Sequence, residues 1–346
     1  MIAATPDPSV PSRVFVTGRH VYNSFRLKCL YYLRLELVKA IAPTPDSLNG
    51  CGRNRKRAII ESLTGMAHVQ CVAGDVGAAA EATVELMRQG VEWIQGGVLV
   101  QTDLLRQEIA ARWVRYPQVA IEPFFYGMPD LFKRVAGKSA FGGWSYVVAG
   151  IKPGRKATFA EKMRAVFHSW LLEYVQGVWP TYACMVSGPG QDDPFDVSLY
   201  KLQLLDLVEE ELPETMLQNN GFYHLTSACR QCPWVQSCTS GASAERDLSL
   251  IPSLRRAQKK ALLRQGVSTV EDAARMDIRT LSAEWGVGVA GLQRIKDKAK
   301  ALSAVSANVK AAPVIPGRPN TAGGLTPALS AKRPACRDAD VTDLVY

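Results

Sequence analysis

The chain has 346 residues, 47% hydrophobic and 21% charged, and its 41 Lys and Arg outnumber 32 Asp and Glu to give a net charge of +9. This composition suits a globular chain with room for roughly two or three domains and a sizeable core, and it excludes a fibrous or wholly unfolded polymer. No run of about 18 apolar residues occurs, so no segment reads as a membrane span, and the positive balance permits a polyanionic partner without demanding one.

Residues 1–12 carry proline but neither a basic n-region nor an apolar h-region, which argues against a secretory signal and makes the cytoplasm the expected compartment. Over 21–39, Phe25, Cys29, Tyr32, Leu33 and Leu37 recur near helical spacing until the Pro43-Thr-Pro45 break, predicting one amphipathic helix that carries Cys29. Helices are also expected at 53–63 and 77–89. Strands follow at 92–100, 124–135 and 143–152, with turn chemistry at 136–143. Residues 161–176 read as a helix whose apolar stripe is Met163, Phe167, Trp170, Leu171 and Tyr174, and a hairpin of 182–187 with 195–200 turns at Gly188-Pro-Gly190. This alternation predicts an α/β fold with a mixed sheet.

Cys229-Arg-Gln-Cys232-Pro-Trp-Val-Gln-Ser-Cys238, together with Cys29 far upstream, has the spacing of a thiolate site that ties the two ends of one domain together. Four thiolates can hold a tetrahedral zinc or an iron–sulfur cluster, and spacing alone does not choose between them. Cys51, Cys71, Cys184 and Cys336 have no close partner in sequence and read as reduced, mostly buried thiols. A disulfide framework is not needed in a chain of this size, which points to a reducing compartment. His20, His68 and His224 form no pattern with the cysteines.

Past the cysteines, residues 252–265 predict a helix with Arg256, Lys260 and Arg264 one turn apart, either a phosphate-binding stripe or a solvated face. Ser268-Thr-Val-Glu271 is a capping box opening a short helix. Trp285-Gly286-Val-Gly288 leading to Lys296 has the shape of a helix-hairpin-helix turn, whose exposed amides can accept a phosphate oxygen, although simple helix packing explains a Gly-x-Gly bend as well. The expected organisation is a disordered 1–14, a domain over 15–245 closed by the cysteines, a helical segment over 246–303, and a proline-punctuated disordered tail over 304–346.

Cys29 on a first helix, Gly127-Met-Pro-Asp130 at a strand start, Trp144-Ser-Tyr146 leading to Ile151-Lys152, Val175-Gln-Gly177 and the Cys-x2-Cys-Pro-Trp-x3-Cys run together resemble RecB-like PD-(D/E)xK nucleases of the four-cysteine iron–sulfur type, the group that includes the AddB helicase-nuclease subunit and the CRISPR adaptation nucleases. The resemblance covers about residues 15 to 300. It implies a restriction-endonuclease-like core and a [4Fe-4S] cluster on Cys29, Cys229, Cys232 and Cys238, with zinc as the alternative. It also implies a nucleic-acid substrate, DNA by family, and a helicase or nuclease partner protein of unspecified identity. Asp130 and Lys152 fall on two catalytic positions of the motif.

Phosphodiester hydrolysis in such a family needs carboxylates to hold Mg or Mn and a lysine to offset developing charge. Here the acid expected two residues before Lys152 is Gly150, and a helix resembling the family's Gly-x-x-His-Glu carries Arg55 and Lys56 at its His-Glu positions. Arg164 and His168 stand where the family has Gln-x-x-x-Tyr. A cation beside Arg55 or Lys56 would be repelled, so Mg or Mn has a poor cage, and Asp130 with Lys152 could be a plain salt bridge. Two readings compete. In one the chain is a nuclease-fold nucleic-acid-binding protein, weak or silent in catalysis, whose phosphate contacts are Arg55, Lys56, Arg256, Lys260, Arg264, Gly286, Gly288 and Lys296. In the other it is an active metal-dependent exonuclease or endonuclease whose missing acid is Glu61, Glu122 or Glu161. A zinc-stapled scaffold with no nucleic-acid role is the third possibility.

Overall fold

β1 (Arg13–Thr17) runs straight into α1 (Gly18–Leu27), and α2 (Leu30–Val38) follows after a corner in which Lys28 adopts φ 50. The single helix expected over 21–39 is therefore two. A left-handed lysine costs on the order of 1 kcal/mol, and here it takes the chain out of helical register so that Cys29 occupies the corner rather than a helix face. The computed structural model describes residues 13–38, 59–61, 66–68, 76–119, 121–152, 156–188, 191–217, 222–279 and 289–310.

Among the described residues the strands make two sheets. The larger has the order β2-β3-β6-β7-β8-β9, built from β2 (Met66–His68), β3 (Trp93–Gln95), β6 (Leu131–Ser139), β7 (Gly142–Ile151), β8 (Tyr182–Gly188) and β9 (Gln191–Asp196). It is mixed: β6–β7 and β8–β9 are antiparallel hairpins, whereas β7 and β8 run parallel. β1, β5 (Glu122–Gly127) and β4 (Leu99–Val100) form the smaller sheet. Two strands expected to be long are each split between the sheets. Residues 92–100 break into β3 and β4 around Gly97, where a Cβ would lie 2.6 Å from the Phe132 ring. Residues 124–135 break into β5 and β6 at Met128-Pro129-Asp130, since proline donates no ladder hydrogen bond.

The parallel β7–β8 connection is α5 (Phe159–Gln176), numbered after α3 (Val76–Arg88) and α4 (Asp103–Trp113). Its N-terminus is a capping box in which Thr158 Oγ1 accepts from Glu161 N at 3.3 Å and Glu161 Oε2 accepts from Thr158 N at 2.7 Å. Met163, Val166, Phe167, Trp170 and Leu171 bury its apolar stripe in one core with Phe132, Tyr146 and Val148 of the sheet. Phe125 meets Trp170 edge-on at 5.2 Å. At the C-terminal end Gln176 stands in for a strand neighbour, its Oε1 accepting from Tyr146 N at 2.8 Å and its Nε2 donating to Tyr146 O at 3.2 Å. Leu131, Ala149, Ile151, Cys184 and Val186 form a second core on the sheet's other face. Burial there pushes the free Cys184 thiol up to about 12, in line with an inert reduced cysteine; Cys51, Cys71 and Cys336 lie outside the described residues.

Three helical stretches were not expected from the sequence: α4, the 201–217 stretch and the helix Val235–Glu245. α4 is capped by Thr102 and buries Leu105, Ile109 and Trp113 one turn apart. α6 (Lys201–Asp206) passes through a π-turn at Leu207–Glu211 into α7 (Leu212–Leu217).

The chain divides into two compact units, Met1–Thr269 and Val270–Tyr346. α8 (Val235–Glu245) and α9 (Arg256–Arg264) belong to the first, and α10 (Val270–Arg275) and α11 (Val289–Lys310) to the second. The division falls later than residue 246 because α9 is fastened inward: Lys259, 2% exposed, donates to both Asp247 carboxylate oxygens at 2.7 Å and to Tyr223 O at 2.7 Å. α11 continues to Lys310, so residues 304–310 are helical, against the expectation of an irregular tail from 304. Residues 1–12 and 311–346, expected to be disordered, lie outside the described residues, whereas Arg13 and Val14, expected in the same N-terminal stretch, open β1 and Val14 is buried in the core. Among the described residues no helix is long and apolar enough to cross a membrane.

Candidate functional site

Cys29 at the α1–α2 corner, Cys229 in a 3-10 turn (Ser227–Gln231), Cys232 just after it and Cys238 in the first turns of α8 line one apolar pocket, together with Tyr31, Tyr223, His224 and Trp234. The two ends of the first unit meet there through side-chain bonds. Arg26 Nη1 donates to Gln231 Oε1 at 2.7 Å across 205 residues, Trp234 Nε1 donates to Glu36 Oε1 at 2.7 Å, and Arg256 Nη1 donates to Lys28 O at 2.6 Å. Arg256 and Trp234 thus hold the corner that presents Cys29.

The sulfurs sit among backbone donors. Thr226 N donates to Cys229 Sγ at 3.3 Å, while Cys29 is hydrogen-bonded by the backbone of Tyr32 and Tyr31 and Cys232 by that of Trp234. Burial nevertheless pushes the Cys29 and Cys232 thiols up, and burial with the neighbouring cysteines takes Cys238 to about 11. Thiols so placed stay protonated until a cation displaces the protons, which couples loading of the site to pH. Among the described residues no three His, Cys, Asp or Glu side chains already stand at the spacing of a single-ion site.

The donor set is all sulfur, which suits zinc or an iron–sulfur cluster and not a hard cation. Two polar atoms of residues lining the pocket, Tyr223 Oη and His224 Nδ1, are buried with no hydrogen-bond partner, as expected of groups whose neighbour is a bound species. His224, read from sequence as unconnected to the cysteines, belongs to their pocket; its closeness to Cys229 in the chain was the available signal.

The second place is the cleft at Asp130. Asp130 directly precedes β6 and Lys152 directly follows β7, so both stand at one end of the β6–β7 pair. They do not pair with each other. Asp130 Oδ2 accepts from Ile151 N at 2.9 Å and lies 3.8 Å from Arg164 Nη2, whereas Lys152 Nζ is bonded to Glu161 Oε2. Burial would raise the Glu161 carboxyl, but the bonds from Lys152 and Thr158 outweigh it and hold it below the usual range. Gly150 cannot host a side chain without a shift, because its Cβ would meet Met185 Sδ at 2.7 Å from the paired position on β8. Among the three acids named as substitutes, Glu122 is bonded to Arg13 at 2.8 Å at the far end of β5 and only Glu161 is bonded to Lys152; Glu61 is helical and exposed.

His168 fills the wall behind Asp130. A Cβ at Gly18 would lie 2.3 Å from its Nε2 and one at Gly127 2.6 Å from its Cδ2, so both glycines are required by the imidazole. Burial, then Arg164, lowers its pKa to about 3 against the pull of Asp130, and burial with Arg19 lowers His20 to about 4. Below about 6.5 the unfolded chain takes protons that the native histidines refuse, so stability falls with pH by up to about 1.4 kcal/mol per unit for each, until the native values are reached. Urea unfolding between pH 6.5 and 4.5 should show this decline, and it should be shallower in His168→Gln.

The basic residues divide. Lys260 and Arg264 are exposed on α9. Arg256 is half-buried, with its guanidinium 5.2 Å over the Phe222 ring and bonded to Lys28 O, so it braces the corner that carries Cys29 and is not part of an open stripe. In the second unit Lys296 Nζ donates to Met276 O at 2.7 Å. Arg55, Lys56, Gly286 and Gly288 lie outside the described residues. Compared with known proteins, the chain matches no family model and no curated sequence.

Proposed function

We propose that this chain is a nuclease-fold nucleic-acid-binding protein that carries a [4Fe-4S] cluster and is weak or silent as a nuclease. The observation that carries the cluster is the gathering of Cys29, Cys229, Cys232 and Cys238 around one pocket with N–H donors on the sulfurs. Those four residues would hold it, and when bound it supplies a closure between the ends of the first unit and a one-electron redox centre. Zinc is the alternative occupant. The restriction-endonuclease-like reading is supported by the order β6–β7 hairpin, α5, parallel β8, with Asp130 before β6 and Lys152 after β7.

Catalytic weakness follows from charges that are already satisfied. Asp130 is engaged by Ile151 N and Arg164, and Lys152 by Glu161, so a cation and an attacking water would have to displace native partners first. A second reading, an active nuclease that uses Glu161 as its second carboxylate, draws on the contact between Glu161 and Lys152. The family's DNA partner would be met through phosphates, with Lys260 and Arg264 as the exposed cations of α9. Free thiols fit the reducing cytoplasm.

Two measurements test the reading. Anaerobic purification with iron, sulfide and zinc assays decides between cluster, zinc and neither. DNA binding at varied salt should weaken linearly in log–log form, and removing Lys260 and Arg264 together should flatten that slope by roughly 1 to 2 units. An unchanged slope returns these residues to a solvated helix face.

A further inference from the structure

Tyr223 and His224 are adjacent in the chain, both line the four-cysteine pocket, and both end in a buried polar atom with no partner. His224 has a structural anchor, because its ring hydrogen-bonds the backbone of Leu254. Tyr223 has anchors for its ring and none for its hydroxyl. The ring stacks on Tyr31 at 5.2 Å, beneath the Lys259 ammonium at 4.6 Å, and its backbone carbonyl accepts from Lys259 Nζ at 2.7 Å. This backbone and ring fixation places the hydroxyl against α8, 3.9 Å from where a Gly241 Cβ would be. Gly241 lies one turn beyond Cys238 on that helix, on the same face.

A buried hydroxyl without a partner costs about 1–3 kcal/mol, so one that lines a pocket calls for a physical account. Phenylalanine would fill the same space without that cost. Apart from His224 and the hydroxyls of Tyr31 and Tyr32, the lining is apolar, aromatic or sulfur, which makes the species that the cysteines hold the acceptor best placed for it. A Cys238 thiolate also raises the Tyr223 hydroxyl, after burial and the Asp247 and Glu245 carboxylates, which places the two groups within electrostatic reach.

We propose that the Tyr223 hydroxyl donates a hydrogen bond to sulfur of the thiolate-held cluster, on its Cys238 side, and is a positioning residue that raises the cluster's reduction potential. The inference rests on the cluster reading given above. The physical reason is charge: one-electron reduction adds negative charge to the cluster and its sulfurs, and a donor aimed at sulfur stabilises the reduced state more than the oxidised one. Without the donor, reduction becomes harder.

The test uses the full chain purified anaerobically, wild type and Tyr223→Phe, with dithionite as the one-electron reductant. Both should contain equal iron and sulfide and show the same thermal midpoint, because the ring and its stack on Tyr31 remain. The midpoint potential of Tyr223→Phe should shift to lower values in a titration followed by electron paramagnetic resonance. An exchangeable-proton hyperfine coupling in the reduced wild-type protein should disappear in the variant. Equal potentials and an unchanged coupling at equal iron content would overturn the role of Tyr223 and leave the cluster reading standing. Zinc, or no metal, in the wild-type protein would overturn both.

Discussion

Cys232→Ala is expected to purify without iron, sulfide or zinc and to unfold at a temperature lower by on the order of 10 °C. Cys232 lines the pocket with Cys29, which enters from the α1–α2 corner more than two hundred positions earlier in the chain, so a bound group there is a tie between the ends of the first unit. Binding to a site that forms only in the native state adds its free energy to folding. Loss of one of four ligands therefore removes about 4 kcal/mol, which for a unit of this size is several degrees per two kilocalories. The remaining ties, Arg26 to Gln231 and Trp234 to Glu36, are partly exposed polar bonds worth about 1 kcal/mol each and cannot replace it. Cys184→Ala is the control. That thiol is more deeply buried than Cys232 but lies in the core on the other face of the sheet, so its loss should cost about 1 kcal/mol and leave the metal content unchanged. Metal retained at full stoichiometry in Cys232→Ala would remove this residue from the ligand set.

The second large effect is on catalysis. Wild-type protein supplied with Mg or Mn should cleave DNA slowly or not at all, and Asp130→Ala should leave whatever rate is seen unchanged. One carboxylate already bonded to a backbone N–H and facing an arginine is a poor cage for cations that want several oxygen ligands. Supplying the missing acid as Gly150→Asp alone should bind Mn weakly, because the new Cβ is accommodated only if the Met185 thioether moves aside. Gly150→Asp combined with Met185→Ala opens that space and should bind Mn more tightly than Gly150→Asp, measured by calorimetry. Robust Mn-dependent cleavage by the unmodified chain, abolished by Asp130→Ala, would hand the case to the active-nuclease reading with Glu161 as the second carboxylate.

Local patterns carried much of the architecture. The stripe Met163, Phe167, Trp170, Leu171 foretold α5 to within two residues of its start, and the glycines around 188–190 foretold a hairpin after β8, although its second strand is Gln191–Asp196 and not the expected 195–200, where Ser198–Tyr200 form a 3-10 turn. Leu105, Ile109 and Trp113 carried the same kind of signal for α4, and it went unread. The failures have a different origin. Lys28 broke an uninterrupted apolar period by taking a positive φ, which nothing in the spacing of Phe25, Cys29 and Tyr32 announces. Pro129 moved one strand from the smaller sheet to the larger, although the apolar run on both sides reads as continuous.

The amino-acid sequence by itself determined that Cys229, Cys232 and Cys238 stand close together and that Gly150 can offer no ligand, since residue type and short spacing settle those points. Tertiary structure alone decided what fills the places between. Strand order sets Met185 opposite Gly150, the start of α5 brings Glu161 to Lys152, and the inward tilt of α9 spends Arg256 on Lys28 and Lys259 on Asp247. It also decided that Tyr223 and His224 face the thiols. Each of these contacts joins elements whose mutual placement comes from burying apolar faces together, a property of the whole packed core that no local spacing encodes.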